Sequence, residues 1–302
     1  MEVVARSDAT GSLPLRVPAR RRGGMCAGIN IEPGSDDDGW IVPRPVLLPD
    51  GTRVQLYKDG EALHAGFAAI RQARERVCLE SYIFADDATG RAFADLLCEK
   101  AASGVRVYVI FDSLGSFGPQ HLWRAAPAIF SRMRRAGVHI QEFHPTRPWE
   151  TRFSWRPVNR DHRKVLIVDH DRAGMGGLNV GREYAGSWVI PSDDVEVSDL
   201  WRDNAIGVRG PAVRHLLNAF AATWSYCGRG GSISRAAYQH GVKDEPFGVL
   251  ASVPTRDSPL RAFLCDLLHS ARKSIEMTMA YFAPDDDLVA ELLAAARRGV
   301  RV

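Results

Sequence analysis

Two hydrophobic periods alternate along the chain from about Val46 onward. Val54 and Leu56 mark a strand, Gly60 breaks the pattern, and Leu63, Phe67, Ile70 and Ala73 then recur at helical spacing. Residues Val77–Phe84 read as a strand. After the Asp86-Asp87 turn, Phe93, Leu96, Leu97 and Ala101 return to the helical period, and Gly104 stops that helix ahead of the strand Val105–Phe111. A helix near 120–136 ends at Gly137 and leads into a strand at Val138–Phe143. Apolar runs at 163–168, near 172–176 and at Ala205–Val208 predict three more strands, after which Gly210-Pro211 opens a helix carrying Val213, Leu216, Leu217, Phe220 and Trp224. Strands and helices in alternation predict an α/β fold.

The pattern then restarts. Ala271-Arg272-Lys273-Ser274-Ile275 through Ala280-Tyr281-Phe282-Ala283 echoes Ala73-Arg74 through Ser81-Tyr82-Ile83-Phe84-Ala85, and Arg298-Gly299-Val300-Arg301-Val302 echoes Ser103-Gly104-Val105-Arg106-Val107. Both copies read strand, Asp-rich turn, helix, Gly, strand. The expected organisation is a first lobe over 46–227, a Gly- and Ser-rich linker over 228–245, and the start of a second lobe over 246–302. Residues 1–45, with Arg20-Arg21-Arg22 and Asp36-Asp37-Asp38 as opposed charge runs, read as a disordered segment.

Composition narrows the chemistry. A chain of 302 residues, 45% hydrophobic and 25% charged, is long enough for one large or two modest domains. Its net charge of +3 is too small to argue for nucleic acid by itself, although a locally basic cleft attracts phosphates. Five scattered cysteines without a C-x-x-C suggest free thiols and offer no metal site. No stretch in the sequence reaches the ~18 consecutive apolar residues of a spanning helix, so a lipid substrate would have to be met from the membrane surface.

The candidate chemistry sits at Asn159-Arg160-Asp161-His162-Arg163-Lys164, followed by Asp169, by Gly176-Gly177 and by Asn179. On a strand, His162 and Lys164 point to the same face, so an imidazole and an ammonium converge as needed to attack a phosphorus and hold its oxygens. Gly176 and Gly177, without Cβ atoms, let backbone N–H groups approach a ligand, and Asn179 either caps a short helix or faces the phosphate. Each residue also has a plain alternative: a loop histidine, a solvated lysine at a strand end, an aspartate opening a turn.

Together, H-x-K-x-x-x-x-D and G-G-x-N resemble the signature of the phospholipase D superfamily. The flanking Asn159-Arg160, Tyr184, Trp201-Arg202-Asp203, Gly210-Pro211-x-Val213 and Phe220-x-x-x-Trp224 resemble its bacterial cardiolipin synthase branch, and the similarity runs from about Val46 to Tyr226. The resemblance implies a phospholipase D-like lobe, a mixed β-sheet flanked by helices on both faces, repeated about a shared cleft. It implies catalysis by His162, Lys164, Asp169, Asn179 and Asp203, with His162 forming a phosphohistidine and Asp203 holding its imidazole; a simple ion pair of Asp203 with Arg202 or Arg209 is the alternative. Asn159, Arg160, Gly176 and Gly177 would bind substrate phosphate. No metal and no cofactor are expected.

The implied reaction transfers a phosphatidyl group between two phosphatidylglycerol molecules, by a peripheral enzyme on the cytoplasmic face of the cell membrane. Trp149, Arg152, Phe153 and Trp155, in a proline-bracketed loop, suit a lipid headgroup interface, or else pack over the core beside the site. Two other outcomes share the motif: a phosphodiesterase hydrolysing phospholipid or nucleic acid, and a catalytically incomplete lipid-binding fragment. Since the repeat stops before a second H-x-K, a homodimer or a missing carboxy-terminal lobe is expected to complete the site.

Overall fold

A computed structural model of the chain describes residues 2–5, 43–117, 128–146, 159–186, 200–228, 247–251, 259–279 and 281–302. Of the amino-terminal segment, Met1 and residues 6–42 lie outside the described residues, as do the aromatic loop with Trp149, Arg152, Phe153 and Trp155 and residues 229–245 of the linker, while Glu2–Ala5, expected to be disordered, form a short strand. The chain forms two compact units, residues 4–248 and residues 249–302 with 1–3.

Two short strands, β1 (Glu2–Ala5) and β10 (Phe247–Leu250), lie outside the main sheet. The larger unit is built on eight strands: β2 (Val46–Leu47), β3 (Arg53–Lys58), β4 (Arg76–Ser81), β5 (Arg106–Asp112), β6 (His139–Phe143), β7 (Val165–Val168), β8 (Arg172–Gly176) and β9 (Asn204–Arg209). They lie side by side in the order β2-β3-β9-β8-β7-β4-β5-β6. β4, β5 and β6 run parallel, and every other pairing is antiparallel.

Because successive side chains on a strand point to opposite faces, β4 separates two environments. Val77 and Leu79 join Val107, Val109, Phe111 and Val168 in a core covered by α1 (Gly60–Arg71), α2 (Ala88–Ala102) and, after the short α3 (Ser113–Phe117), α4 (Ala128–Arg135). Phe111 stacks on Phe130 of α4 at 3.8 Å between ring centroids. Each such fully buried ring contributes roughly 1.5–3 kcal/mol. Glu80 and Cys78 face the other way, towards α5 (Val213–Cys227), whose Phe220 and Trp224 are buried. The result is the expected mixed α/β sheet with helices on both faces.

Several boundaries differ from the sequence reading, each for a local reason. Gly60 begins α1 instead of preceding it, and the break falls on Asp59, held at φ +49°. β4 ends at Ser81 because Ile83 and Ala85 turn to bond with Val180. β7 starts at Val165, two residues later than expected. α5 starts at Val213, since Gly210 at φ +104° and Pro211 form the turn before it. The unforeseen α3 follows from Asp112, whose carboxylate accepts the Leu114 and Gly115 N–H groups.

The smaller unit contains α6 (Pro259–Ser270) and α7 (Asp286–Arg297). The strand expected after Ser274 is reduced to a single parallel bridge, Ser274 to Arg301, which is the counterpart of the first β4–β5 pair, Arg76 to Arg106. The helix caps also correspond: Asp87 accepts the Gly90 N–H at 2.8 Å, and Asp285 accepts the Leu288 N–H at 3.0 Å. α7 is three residues shorter than α2, with 12 against 15.

Candidate active site

The stretch leading into β7 splits its side chains between the two faces of the sheet. Asp161 and Arg163 go to the α5 side: the Arg163 guanidinium hydrogen-bonds Asp161 at 2.9 Å and forms an ion pair with Glu80 at 3.2 Å, all three buried. Burial, and then the neighbouring Asp161, push Glu80 well above the usual carboxylate range, while Arg163 pulls it down. This buried trio anchors the stretch from below. His162 and Lys164, one step out of phase with it, turn to the α1 side.

There they converge on Tyr82, the first residue past β4. The His162 ring lies 4.9 Å from the Tyr82 ring, and Lys164 Nζ sits 5.2 Å from the same ring's centroid. Lys164 Nζ also donates to the His162 carbonyl at 2.8 Å. Burial lowers the Lys164 ammonium from its ordinary 10.5 to about 8, against the opposing pull of Asp161, Asp203 and Asp112. Burial and then Lys164 lower the His162 pKa, which favours the neutral imidazole that a nucleophile needs.

Asp203 stands just ahead of β9 and is gripped through its backbone: its N–H donates to Asp59 Oδ1 at 2.9 Å, and its carbonyl accepts the Asp59 N–H at 2.8 Å. Its charge raises the pKa of both His162 and Lys164. Arg202, an alternative partner in the sequence reading, pairs with Asp59 at 2.7 Å instead. The glycine pair explains how Asp203 fits. A Cβ on Gly177 would overlap both Asp203 carboxylate oxygens, and one on Gly176 would overlap the Asn204 carbonyl and Ala205. Their N–H groups are not turned to a ligand, contrary to expectation: Gly177 donates to Asn204 and Gly176 to the Lys164 carbonyl.

Asn179 is buried, and its Oδ1 accepts the Ile83 N–H at 2.9 Å, which fixes its amide beside Tyr82. It caps no helix; the short 3-10 turn at Arg182–Tyr184 begins after Gly181, with Asp87 accepting the Arg182 N–H.

Asp169 is placed elsewhere, and Asn159 and Arg160 are held by other partners. Asp169 lies past the far end of β7, at φ +55°, where its carboxylate accepts the N–H groups of Arg74, Glu75 and Arg76. Five residue steps of extended chain, about 17 Å, separate it from Lys164, so it closes the turn before β4 at the opposite end of the strand from His162 and Lys164. Arg160 donates to the fully buried Asp112 at 3.1 Å and to the His144 carbonyl at 2.9 Å. The Asn159 carbonyl takes a 2.7 Å hydrogen bond with the His144 ring, whose other nitrogen meets Tyr226. Burial lifts Asp112 to about 6, opposed by Arg160 and the backbone N–H of Asp161, Gly115 and Leu114.

Tyr82, Asp59 and Glu80 went unnoticed in the sequence. Tyr82 carried one signal, its repetition as Tyr281 in the second copy. Among the described residues no group of His, Cys, Asp and Glu is arranged to hold a metal ion.

Residues 67–197 and 264–302 match the family profile described as "Cardiolipin synthase, PLD-like domain". The chain is 37% identical over 256 residues to cardiolipin synthase A of Pseudomonas putida (strain W619), covering 83% of this chain and 50% of that protein. It is 38% identical to cardiolipin synthase A of Pseudomonas entomophila (strain L48), covering 82% and 49%. The chain thus spans about half the length of these relatives. Among solved structures, a phospholipase D family member, Nuc from Salmonella typhimurium, is 18% identical with a TM-score of 0.41, covering 58% of this chain and 95% of that one.

Proposed function

Because the chain belongs to the family of cardiolipin synthases with a phospholipase D-like domain, we propose that it contributes to phosphatidyl transfer on phosphatidylglycerol, with His162 as nucleophile. The carrying observation is the convergence of His162 and Lys164 on one side of the chain beside Tyr82, with Asp203 acting on both.

The neutral His162 imidazole attacks phosphorus. The bond to the departing glycerol oxygen breaks, and the phosphatidyl group is left on the ring as a phosphohistidine. Glycerol takes up a proton as it leaves. A hydroxyl of a second phosphatidylglycerol then gives up its proton, attacks the same phosphorus and frees His162, forming cardiolipin. Lys164 neutralises charge on the equatorial phosphoryl oxygens, and the Asn179 amide, fixed through Ile83, donates to the same group. A preorganised donor of this kind contributes about 3 kcal/mol to the barrier. Asp203 holds the imidazole in the tautomer that presents its free nitrogen to phosphorus.

The 302 residues contain one His-x-Lys, so we place the proton donor in a second motif, brought by a second copy of the chain or by a further lobe. Contact with the membrane is peripheral, on the cytoplasmic face. Among the described residues no helix is long and apolar enough to cross a bilayer.

The test is incubation with vesicles of phosphatidylglycerol labelled in the phosphatidyl group, read by thin-layer chromatography and by acid-labile label on the protein. Cardiolipin and label on His162, both lost in His162→Asn, are expected. Phosphatidic acid as the sole product would make the chain a hydrolase. Label persisting on His162→Asn would remove His162 as nucleophile, and full-rate transfer by a chain shown to be monomeric by light scattering would refute the second motif.

A further inference from the structure

The face of the sheet beneath α1 is floored by glycine. In the register of β3, β9, β8 and β7, Gln55, Gly207, Gly174 and Leu166 stand side by side. The next row of that face holds Tyr57, Ala205 and Gly176. Above them α1 presents Ala62, Ala65, Gly66 and Ala69. Leu166 reaches up to Gly66 and the Tyr57 ring lies against Gly207, but a Cβ built on Gly174 would meet nothing nearer than 3.7 Å, and a cavity of about 460 Å³ remains between helix and sheet. That volume lies in the range of small-molecule sites, roughly 300–1,000 Å³.

The two ends of the cavity differ. At the inner end the lining residues Lys164, Ser81 and Leu178 are buried. The Lys164 ammonium is engaged with the His162 carbonyl and the Tyr82 ring, which leaves its alkyl stem to the cavity. At the outer end Arg53, Arg209 and Arg172 are directly opposed on three neighbouring strands and all line the cavity. Like charges opposed across strands destabilise a sheet. Arg172 bonds Gln72 at 2.8 Å through one terminal nitrogen, and its buried Nε has no hydrogen-bond partner but forms an ion pair with Asp171 at 3.6 Å. Arg53 and Arg209 are exposed at the mouth.

We propose that this cavity binds a single-chain alkyl carboxylate, with its head on the Arg53–Arg209–Arg172 row and its chain running under α1 towards Lys164. The planar guanidinium matches a carboxylate in both geometry and charge, and the alanine and glycine lining between the two ends favours an alkyl chain over a second polar group. From the arginine row to the Lys164 row is four residues of strand, about 13 Å, which sets the length of chain accommodated. The proposal does not rest on the transferase reading, since it concerns binding at a site behind the catalytic pair.

The experiment is calorimetric titration of the folded 302-residue chain with linear alkanoates from acetate to dodecanoate, each below its micelle concentration. Affinity is expected to rise about fourfold per added methylene, then level off once the chain spans the cavity. Gly174→Leu should abolish the dependence on length, because a Cβ there meets nothing nearer than the Ile206 carbonyl at 3.7 Å and the side chain can occupy the cavity. Should that variant fail to fold, Ala69→Leu fills the same space from the helix. Arg209→Gln should weaken every chain length while keeping the increment per methylene. His162→Asn should bind as the parent does, which separates this site from the reaction. Decanol binding as tightly as decanoate would refute the role of the arginines, acetate binding as tightly as decanoate would refute the cavity, and no binding by a folded chain would refute both.

Discussion

Replacing Lys164 with methionine should abolish turnover and yet stabilise the fold. The ammonium lies in a buried setting that lowers its pKa from 10.5 to about 8. At about 1.4 kcal/mol per pH unit, the folded protein at pH 7 bears about 3 kcal/mol for keeping that charge. Methionine fills a similar volume without it. Against this gain stands the His162 carbonyl, which loses its donor at 2.8 Å, at a cost of about 1 kcal/mol, so the net gain is about 2 kcal/mol. The sign follows from proton binding. Between about pH 8 and pH 10.5 the unfolded lysine holds its proton while the folded one has released it, so the parent grows more stable as pH rises through that window. The advantage of Lys164→Met should therefore be full at pH 7 and shrink by pH 10. Urea titrations of both chains, followed by far-ultraviolet circular dichroism at the two pH values, measure it as a difference in midpoint at equal slope. A variant less stable than the parent at pH 7, or a gap that stays constant with pH, would refute the argument that burial of the ammonium dominates. Stability given up for a charged group at a site is the usual trade of active centres.

Gly177→Ala should lower turnover about a hundredfold by displacing the Asp203 carboxylate, whose oxygens the new methyl would overlap; kcat measured beside Gly174→Ala, which has room, checks it. Asp169→Ala should cost about 1–3 kcal/mol of stability through loss of the acceptor for the Arg74, Glu75 and Arg76 N–H groups, with turnover per folded molecule unchanged. Since those N–H groups hold the Asp169 pKa below 3.8, the parent should lose this contribution as pH falls through the lowered value, and urea midpoints in acid should converge with those of the variant. Arg163→Met should destabilise by about 3–5 kcal/mol, because Asp161 and Glu80 are left buried together; equal thermal midpoints for parent and variant would show that the trio is not an anchor.

Local pattern alone was enough for most strands and helices of the first lobe and for turning His162 and Lys164 to one face. The alternation of Asp161, His162, Arg163 and Lys164 is a property of any extended backbone. It therefore survives even though β7 begins only at Val165, and it sends one pair to the buried trio and the other to Tyr82. Helix caps are likewise local, which is why Asp87 and Asp285 do the same work in both copies. What each polar group is used for depended on elements distant in sequence. Asp169 follows the histidine by seven residues, but a strand carries it out of reach, and its carboxylate is taken up by a turn some 95 residues earlier. The glycine pair could be read as a ligand cradle until β9 was laid against it and filled the space with Asp203. Glu80 and Arg163 look like an ordinary strand glutamate and a basic neighbour until α5 buries them. The arginine row exists only because β3, β9 and β8, from three separate parts of the chain, pair in one register. Strand order and register follow from burying the whole sheet at once, a non-local condition that no window of the sequence contains.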